Sequence, residues 1–475
     1  MDTVKKHLPL RTGVALVVGT MIGSGIFIVS ADMSRVLGSP FLMLLAWVIS
    51  GVITVSGALS YGELAGMFPK QGGQYQYLKE IYNEVIAFLY GWAMFAVIQS
   101  GTIAAVAVGF AKFSGILMPN LIGPDIIVAD LVLFKISSQS LWAIFSLLVL
   151  TLINTRGLRV GAIVQNTLTI VKVLSFGILI VLGLLVYRNP EAVAVNFGNF
   201  FHDLSHPGNT WTFWGVASAI GVAMVGSLFS HDSWNNVTFI ASEIENPRRN
   251  VARAMFFGTS AVTIIYLLAN LSYLCLLPFW GSADGADVAA RGIQYAAQDR
   301  VGVAATTAML GQVGAVLMAA LIMVSTFGCN NGIILASVRV YQSMAQDGLF
   351  FEKMKDSNRA GAPSFALWVQ FIWCSILCLS GKYGDLLDYV MFVVMLFYIL
   401  TIAGIFILRR TRPDAERPYK AFGYPFLPAL YVLLAGAFTL NLLYTKPQFT
   451  VPGLVILVLG LPVYLFWKSV RKPKS

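Results

Sequence analysis

Long apolar segments recur along almost the whole chain and constrain its fold more than any other feature. A helix that crosses a bilayer needs about 20 predominantly apolar residues, and its backbone polar groups must be satisfied within the segment, which favours helices over strands. Only 11% of the 475 residues are charged, whereas soluble domains carry about a quarter. The sequence therefore predicts an all-α, polytopic membrane protein.

Twelve such segments can be delimited, and they predict twelve transmembrane helices. An even number of crossings places both termini on one side. Lysine and arginine are retained in cytoplasmic loops, and their alternation between successive loops predicts that both termini are cytoplasmic, in the cell membrane. The segments lie near residues 12 to 36, 40 to 66, 84 to 117, 139 to 154, 159 to 187, 213 to 243, 250 to 278, 302 to 342, 363 to 381, 384 to 409, 424 to 443 and 450 to 467.

The net charge of +10 does not indicate a nucleic-acid partner. The basic clusters sit beside helix ends, for example at Arg248 and Arg249 and at Arg409 and Arg410. Retention of basic residues in cytoplasmic loops explains that placement. The predicted partner is the lipid bilayer, with no nucleic acid.

The first apolar segment carries an interruption at its centre. In the stretch GTMIGSGIF, residues 19 to 27, the step Gly23-Ser24-Gly25 falls about halfway along. Glycine is about 1 kcal/mol less favourable than alanine inside a helix, and unwound backbone is tolerated in a bilayer only where it is buried or lines a cavity. One interpretation is a broken helix, and the other is a face of small residues for close helix packing.

The sixth segment has its own interruption, FSHDSWNN at residues 229 to 236. Its polar side chains would be costly against lipid, so two matched breaks favour broken helices. Because the breaks are five helices apart, we expect two inverted five-helix repeats, at 12–187 and 213–409, with the substrate site at their interface. Two further helices at 424–467 and cytoplasmic tails at 1–11 and 468–475 complete the predicted organisation.

Two such breaks suit a zwitterion. The amide donors and positive dipole end of each second half-helix attract a carboxylate, and the carbonyls of each first half-helix accept from an ammonium group. The sequence thus predicts a site that fits a small zwitterion.

Four motifs carry a family resemblance: GTMIGSGIF, YGELAGMFPKQGGQYQYLKEIY at 61 to 82, FSHDSWNNVTFIASEIENPRRNVARAM at 229 to 255, and STFGCNNG at 325 to 332. With them, essentially the whole chain resembles the amino acid/polyamine/organocation (APC) superfamily, and within it the L-type amino acid transporter (LAT) family in a bacterial form. The resemblance implies a LeuT-type fold, with a 5+5 inverted repeat plus two helices. It also implies sodium-independent exchange of neutral L-amino acids by alternating access.

The resemblance also implies roles for residues at the breaks. The amides of Ser24 and Gly25 would hold the substrate carboxylate, and the carbonyls of Met21, Phe229 and Asp232 would receive the ammonium group. Phe229 would also act as an aromatic gate. His231 replaces an aromatic residue of the family, so either the pocket is altered or pH-dependent, or the imidazole satisfies a local hydrogen bond. The predicted substrate-binding set is Met21, Gly23, Ser24, Gly25, Phe229, His231, Asp232 and Asn235.

Lys172 lies near the middle of the apolar run 161 to 187. An unpaired charge there would cost at least about 2.5 to 3.5 kcal/mol. Gln165 and Thr169 share its helical stripe, so this polar edge is predicted to face the bundle interior. In similar transporters a lysine on the fifth helix stands where others bind sodium, which implies that its ammonium group bridges the broken first helix and the region of Ser325 and Thr326. Whether Lys172 also carries a proton stays open.

Several alternatives remain at this point. Proton-coupled amino acid uptake, or a cationic amino acid/polyamine antiporter, is the nearest one. A channel could also use broken helices, and saturable exchange would distinguish the two. A membrane enzyme would need a nucleophile and base or metal ligands at one depth, which the four histidines do not provide.

The cysteines complete the sequence-based expectations. Cys374 and Cys378 are one helical turn apart, but no histidine or acidic residue accompanies them, so neither a metal nor a cofactor is predicted. Eukaryotic members of the resembling family use an extracellular cysteine after the third helix to join a glycoprotein. Residues 112 to 138 contain no cysteine, so no disulfide-linked heavy subunit is expected.

Overall fold

The computed structural model describes residues 8–130, 135–205, 212–380 and 383–470. Most of the two predicted tails, residues 1–7 and 471–475, lies outside these ranges. Within them the chain is helical apart from turns and one small sheet. The prediction of an all-α polytopic protein is confirmed.

The first half of the chain begins with an interrupted helix and continues with long ones. Side chains cap several helix starts: Asn83 accepts from the amide of Ile86, and Ser137 accepts from that of Ser140. The elements are α1 (Leu10–Met21), a 3₁₀ turn (Gly25–Phe27), α2 (Val29–Leu37), α3 (Pro40–Met67), α4 (Gln74–Ile81), α5 (Glu84–Ala93), a π-helical turn (Met94–Ile98), α6 (Gln99–Leu117), α7 (Ser138–Thr155), α8 (Leu158–Val181), a second π-helical turn (Leu182–Val186) and α9 (Pro190–Gly198).

Two short antiparallel strands lie between α6 and α7, a feature that the apolar pattern did not predict. They are β1 (Ile127–Asp130) and β2 (Lys135–Ser137), with Ile127 opposite Ser137.

The second half also begins with an interrupted helix, formed by α10 and α11. Its longest helix, α14, is kinked at Gly311, where a positive φ of 59° is open to glycine without strain. The elements are α10 (Phe213–Ser230), α11 (Asn236–Phe239), a 3₁₀ turn (Ala241–Glu243), α12 (Pro247–Leu276), α13 (Val288–Arg291), a 3₁₀ turn (Ala297–Asp299), α14 (Val301–Gln346), a 3₁₀ turn (Glu352–Lys355), α15 (Ser364–Ser380), α16 (Tyr383–Thr411), α17 (Phe426–Thr445) and α18 (Pro447–Val470).

Ten helical stretches in the described ranges are long and apolar enough to cross a bilayer. α1 and α15 are also apolar but shorter. Large apolar side chains such as Leu174, Ile372 and Leu433 are exposed on the outside of the bundle, as a lipid-facing surface requires. A count of twelve crossings stays a prediction.

Helices five positions apart in the order of apolar segments pack against each other. The second segment (α3) packs on the seventh (α12), the third (α6) on the eighth (α14), and the fourth (α7) on the ninth (α15). The two interrupted segments, α1–α2 and α10–α11, are also in contact. This packing brings the two interruptions together in the middle of the bundle.

Candidate functional site

The first helix is interrupted at the predicted residues. The last helical hydrogen bond of α1 is donated by the amide of Ile22 to Val18 O (3.0 Å). Helical bonding resumes where the amide of Phe27 donates to Ser24 O (3.1 Å). Gly23 and Ser24 lie between the helical segments, and both are buried. The predicted break is confirmed.

The sixth segment is interrupted as well. α10 ends at Ser230, and α11 begins only at Asn236. Between them the amide of Asp232 donates to Phe229 O (3.1 Å), and Ser233 adopts a left-handed conformation with a φ of 67°. That conformation costs a non-glycine residue about 1 to 2 kcal/mol, so the surrounding structure holds this backbone out of the helix.

The two breaks face each other at close range. A Cβ atom on Gly25 would lie 2.2 Å from Ser230 Oγ and 3.1 Å from Ser230 Cβ. Thr20 Oγ1 donates to Ser233 O (3.1 Å), a second link between α1 and the segment after α10. The small residues thus serve close packing and helix breaking together, so the two interpretations of the glycines are compatible.

Tyr266 of α12 joins the carbonyl ends of both first half-helices. Its hydroxyl oxygen lies 2.9 Å from Met21 O and 3.0 Å from Ser230 O, and its side chain is fully buried. A hydroxyl has one proton to donate, so the two carbonyls share it. The sequence does not single out Tyr266, because a tyrosine in an apolar helix has the pattern of a packing residue.

The predicted substrate residues lie at this junction, but they point to different neighbours. A Cβ atom on Gly23 would lie 3.2 Å from Cys329 Sγ, so the first break packs against α14. Asp232 Oδ1 accepts from the Tyr398 hydroxyl (2.7 Å). All of the predicted substrate residues are buried: Met21, Gly23, Ser24, Gly25, Phe229, His231, Asp232 and Asn235.

His231 is held by a local hydrogen bond. Its Nδ1 lies 2.8 Å from Ser227 O, one turn earlier in α10. The imidazole packs between Trp47 and Tyr266, with ring centroids 5.7 and 5.0 Å away. This geometry agrees with the second interpretation, a local structural role.

The ammonium group of Lys172 bonds to the broken end of α1. Its Nζ donates to Gly19 O (2.7 Å) and to Ile22 O (2.9 Å), and its side chain is 1% exposed. Ser325 Oγ also donates to Ile22 O (3.2 Å). The hydroxyl of Thr326 instead donates to carbonyls of its own helix. Lys172 and Ser325 therefore meet at one carbonyl group, and Thr326 does not join them there.

The rest of the polar edge of α8 faces the bundle interior, as predicted. Gln165 and Thr169 are 2% and 5% exposed. Thr169 Oγ1 donates to Ala15 O (3.1 Å), and Gln165 Oε1 accepts from Asn331 of α14 (3.3 Å). Thr169 and Lys172 of α8 thus both hold α1 by side-chain hydrogen bonds, and Gln165 links α8 to α14.

Ion pairs close the bundle on the side predicted to be cytoplasmic. Glu63, at the end of α3, is 1% exposed and pairs with Arg409 (2.6 Å) and Arg417 (3.2 Å). It also accepts from the amide of Ala421 (2.7 Å). These contacts join Arg409 of α16 and the chain after α16 to the end of α3.

A second set of contacts closes the opposite side. Arg35, at the end of α2, pairs with Asp299 (2.8 Å) and donates to Gln294 O (2.5 Å). Burial lowers the pKa of the neighbouring Arg300 to about 10, which leaves it charged at neutral pH. Its guanidinium donates to Lys112 O (2.5 Å). The breaks are thus enclosed between ion-paired residues on both sides.

Potential metal ligands do not gather in the part of the chain that the structure describes: no three His, Cys, Asp or Glu side chains lie together. Cys374 and Cys378 are buried. The polar chemistry of the site is therefore that of backbone groups, Lys172 and Asp232.

Comparison with known proteins gives matches over nearly the whole chain. The large neutral amino acids transporter small subunit 2 of Mus musculus is 28% identical over 476 residues, 99% of this chain and 83% of that protein. The serine/threonine exchanger SteT of Bacillus subtilis (strain 168) is 29% identical over 471 residues, 98% of each chain. The b(0,+)-type amino acid transporter 1 of Homo sapiens is 28% identical over 468 residues, 98% and 88% of the two chains.

The family model for amino acid permeases matches residues 8–466. The match contains both breaks and Lys172, and it confirms the predicted resemblance to the APC superfamily and its LAT-type members. The chain therefore belongs to the amino acid permease family.

Proposed function

We propose that the chain is a sodium-independent exchanger of neutral L-amino acids that works by alternating access. The observation that carries this proposal is the junction of the two breaks, where the Tyr266 hydroxyl lies within 3.0 Å of Met21 O and Ser230 O. The names of the relatives, which include a neutral amino acids transporter and a serine/threonine exchanger, support the substrate class.

The backbone groups at the junction would hold the zwitterion. The amides of Ser24 and Gly25 lie outside the helical hydrogen bonds of α1 and are the donors assigned to the substrate carboxylate. The carbonyls of Met21, Phe229 and Asp232 are assigned to the ammonium group. Met21 O already accepts a hydrogen bond from the Tyr266 hydroxyl, and a carbonyl oxygen has a second lone pair.

The position of the Lys172 ammonium group supports exchange that does not depend on sodium. Its ammonium group occupies the position next to Gly19 O and Ile22 O where a cation would otherwise neutralise exposed carbonyls. The C-terminal end of α1 also carries the negative end of the helix dipole, which favours a fixed positive charge.

Alternating access fits the paired packing of the bundle. The predicted repeats at 12–187 and 213–409 contribute one break each. Opening toward one side would separate Glu63 from Arg409 and Arg417, and opening toward the other would separate Arg35 from Asp299. We place both termini in the cytoplasm, the protein in the cell membrane, and no disulfide-linked glycoprotein beside it. No catalytic role is proposed.

Proteoliposomes test the proposal directly. Uptake of each labelled amino acid is measured in vesicles that are empty or preloaded with unlabelled amino acid, with and without sodium and a proton gradient. We expect saturable uptake of neutral amino acids that requires preloading and is unchanged by sodium. Uptake into empty vesicles driven by a proton gradient would favour the proton-coupled alternative, and a requirement for sodium would overturn the proposal.

A further inference from the structure

A small cavity adjoins the second break on the side of α5 and α6. It has room for about one water-sized group, and Asp232 and Asn235 of the break form part of its wall. The other polar lining residues are Gln74, Tyr90, Gln99 and Tyr398. The cavity is therefore polar in the middle of an apolar bundle, directly beside the residues assigned to the substrate backbone.

Two polar atoms at this cavity are buried without a hydrogen-bond partner in the described ranges, the Tyr90 hydroxyl and Gln99 Oε1. The two side chains are only 1% and 3% exposed. The other end of the Gln99 amide is held, because Nε2 donates to Asn236 Oδ1 (2.8 Å). An unpaired buried polar atom costs about 1 to 3 kcal/mol, and folded proteins contain few of them. Both atoms are thus available to a ligand.

The carboxylate of Asp232 does not require a cationic ligand. It accepts a hydrogen bond from the Tyr398 hydroxyl (2.7 Å) and one from the backbone amide of Ser233. Two donors already stabilise it, and its remaining lone pairs add acceptors to the cavity wall.

We propose that the cavity lined by Tyr90, Gln99 and Asp232, the side-chain subsite, receives the end of the side chain of the transported amino acid and selects one that ends in a hydroxyl group. Tyr90 and Gln99 determine that selectivity. The proposal rests on the proposed function, since it assumes that the backbone of an amino acid occupies the adjacent junction.

A hydroxyl group fits the subsite because it both donates and accepts. It donates to Gln99 Oε1 and accepts from the Tyr90 hydroxyl, which satisfies both unpaired atoms at once. Valine has nearly the shape of threonine but no hydroxyl, so it would leave both atoms unpaired. Sites built to bond a substrate hydroxyl discriminate against such analogues far more strongly than apolar pockets do.

The test compares matched substrates in preloaded proteoliposomes. Exchange of threonine is measured against valine, serine against alanine, and lysine against norleucine. We expect the unmodified protein to prefer threonine over valine by at least about tenfold. Tyr90→Phe and Gln99→Met should each lower that ratio by about fivefold or more, because each removes one partner of the hydroxyl.

Two control variants remove equivalent groups elsewhere. Tyr273→Phe and Gln370→Met alter buried side chains that also carry an unpaired polar atom but do not line this cavity, and the threonine-to-valine ratio should stay unchanged. An equal ratio in the unmodified protein, Tyr90→Phe and Gln99→Met would overturn the inference and leave the proposed function standing. A preference found only for lysine over norleucine would also overturn it. Absence of all amino acid exchange would instead overturn the proposed function.

Discussion

The ammonium nitrogen of Lys172 lies 2.9 Å from the carbonyl oxygen of Ile22, at the point where the first helix stops. Ser325 Oγ approaches the same oxygen to 3.2 Å. One carbonyl group at the break therefore links α1 to both α8 and α14. Any movement of α8 away from α1 must separate this contact.

Replacing Lys172 with alanine should impair the transport cycle more than substrate binding. The change removes two hydrogen bonds from a charged donor, each of which contributes about 1.5 to 3 kcal/mol. The relative free energies of the states in the transport cycle should therefore change. We expect exchange in proteoliposomes to fall at least about tenfold and the Kd of the substrate to change less than about threefold. Leu174→Ala, on the exposed face of α8, serves as the control. Unchanged exchange in Lys172→Ala would contradict the prediction.

Tyr266→Phe should weaken substrate binding. The variant keeps the ring but removes the hydroxyl shared by Met21 O and Ser230 O, and leaving buried carbonyls unpaired costs about 1 to 3 kcal/mol. We expect the substrate Kd to rise about tenfold, measured by calorimetry in detergent.

Tyr273→Phe is the matched control, since it alters a buried tyrosine of the same helix whose hydroxyl has no partner among the described residues. Its Kd should stay within about twofold of the original. Equal effects of the two substitutions would show that the Tyr266 hydroxyl has no special role at the breaks.

Gly25→Ala should destabilise the junction of the two breaks. The added methyl group would lie 3.1 Å from Ser230 Cβ and closer still to its hydroxyl, and overpacking typically costs about 1 to 3 kcal/mol. We expect a lower Tm and a loss of exchange. Adding Ser230→Gly should restore part of both, as a double-mutant cycle measures.

Gly177→Ala provides the comparison for Gly25→Ala. A Cβ atom at Gly177 meets nothing within 4 Å, and alanine is about 1 kcal/mol more favourable than glycine in a helix. Its Tm should therefore stay the same or rise. If the Tm of Gly25→Ala also stayed the same or rose, the close approach of the two breaks would not restrict the residue at position 25.

Glu63→Gln should loosen the side predicted to be cytoplasmic. Glu63 is 1% exposed and Arg417 is 8% exposed, and removal of one member of a buried ion pair typically costs about 3 to 5 kcal/mol. Glu416→Gln breaks an exposed pair with Arg248, where the expected cost is below about 1 kcal/mol. Thermal unfolding in detergent should show a clear fall in Tm for Glu63→Gln only. Similar Tm values for Glu63→Gln and Glu416→Gln would contradict the stabilising role given to the buried pair of Glu63.

Local composition made the two breaks predictable. Gly23 and Gly25 flank a serine within an apolar run, and His231 and Asp232 bring polar side chains to mid-membrane, so each interruption is visible without knowledge of the fold. The orientation of Lys172 was predictable for the same reason, because its neighbours Gln165 and Thr169 share one helical stripe.

Contacts between distant segments were not predictable. The partners of Glu63 lie about 350 residues away on α16 and in the chain after it, at Arg409 and Arg417. Tyr90, Gln99 and Tyr266 sit in helices whose pattern indicates only packing, and their importance comes from which atoms the fold places opposite them. Only tertiary structure distinguishes the Tyr266 hydroxyl, which bridges two carbonyls, from the unpaired Tyr273 hydroxyl.

The positive charge beside the first break belongs to Lys172, a side chain of α8. In an exchanger built this way no ion has to accompany the cargo, and a zwitterion that enters replaces a zwitterion that leaves. Net charge does not move across the bilayer in such a cycle, whereas each unit charge that did move would contribute about 2.3 kcal/mol per 100 mV. The membrane voltage would then neither drive nor oppose the turnover, and the concentration ratios of the amino acids alone would set its direction.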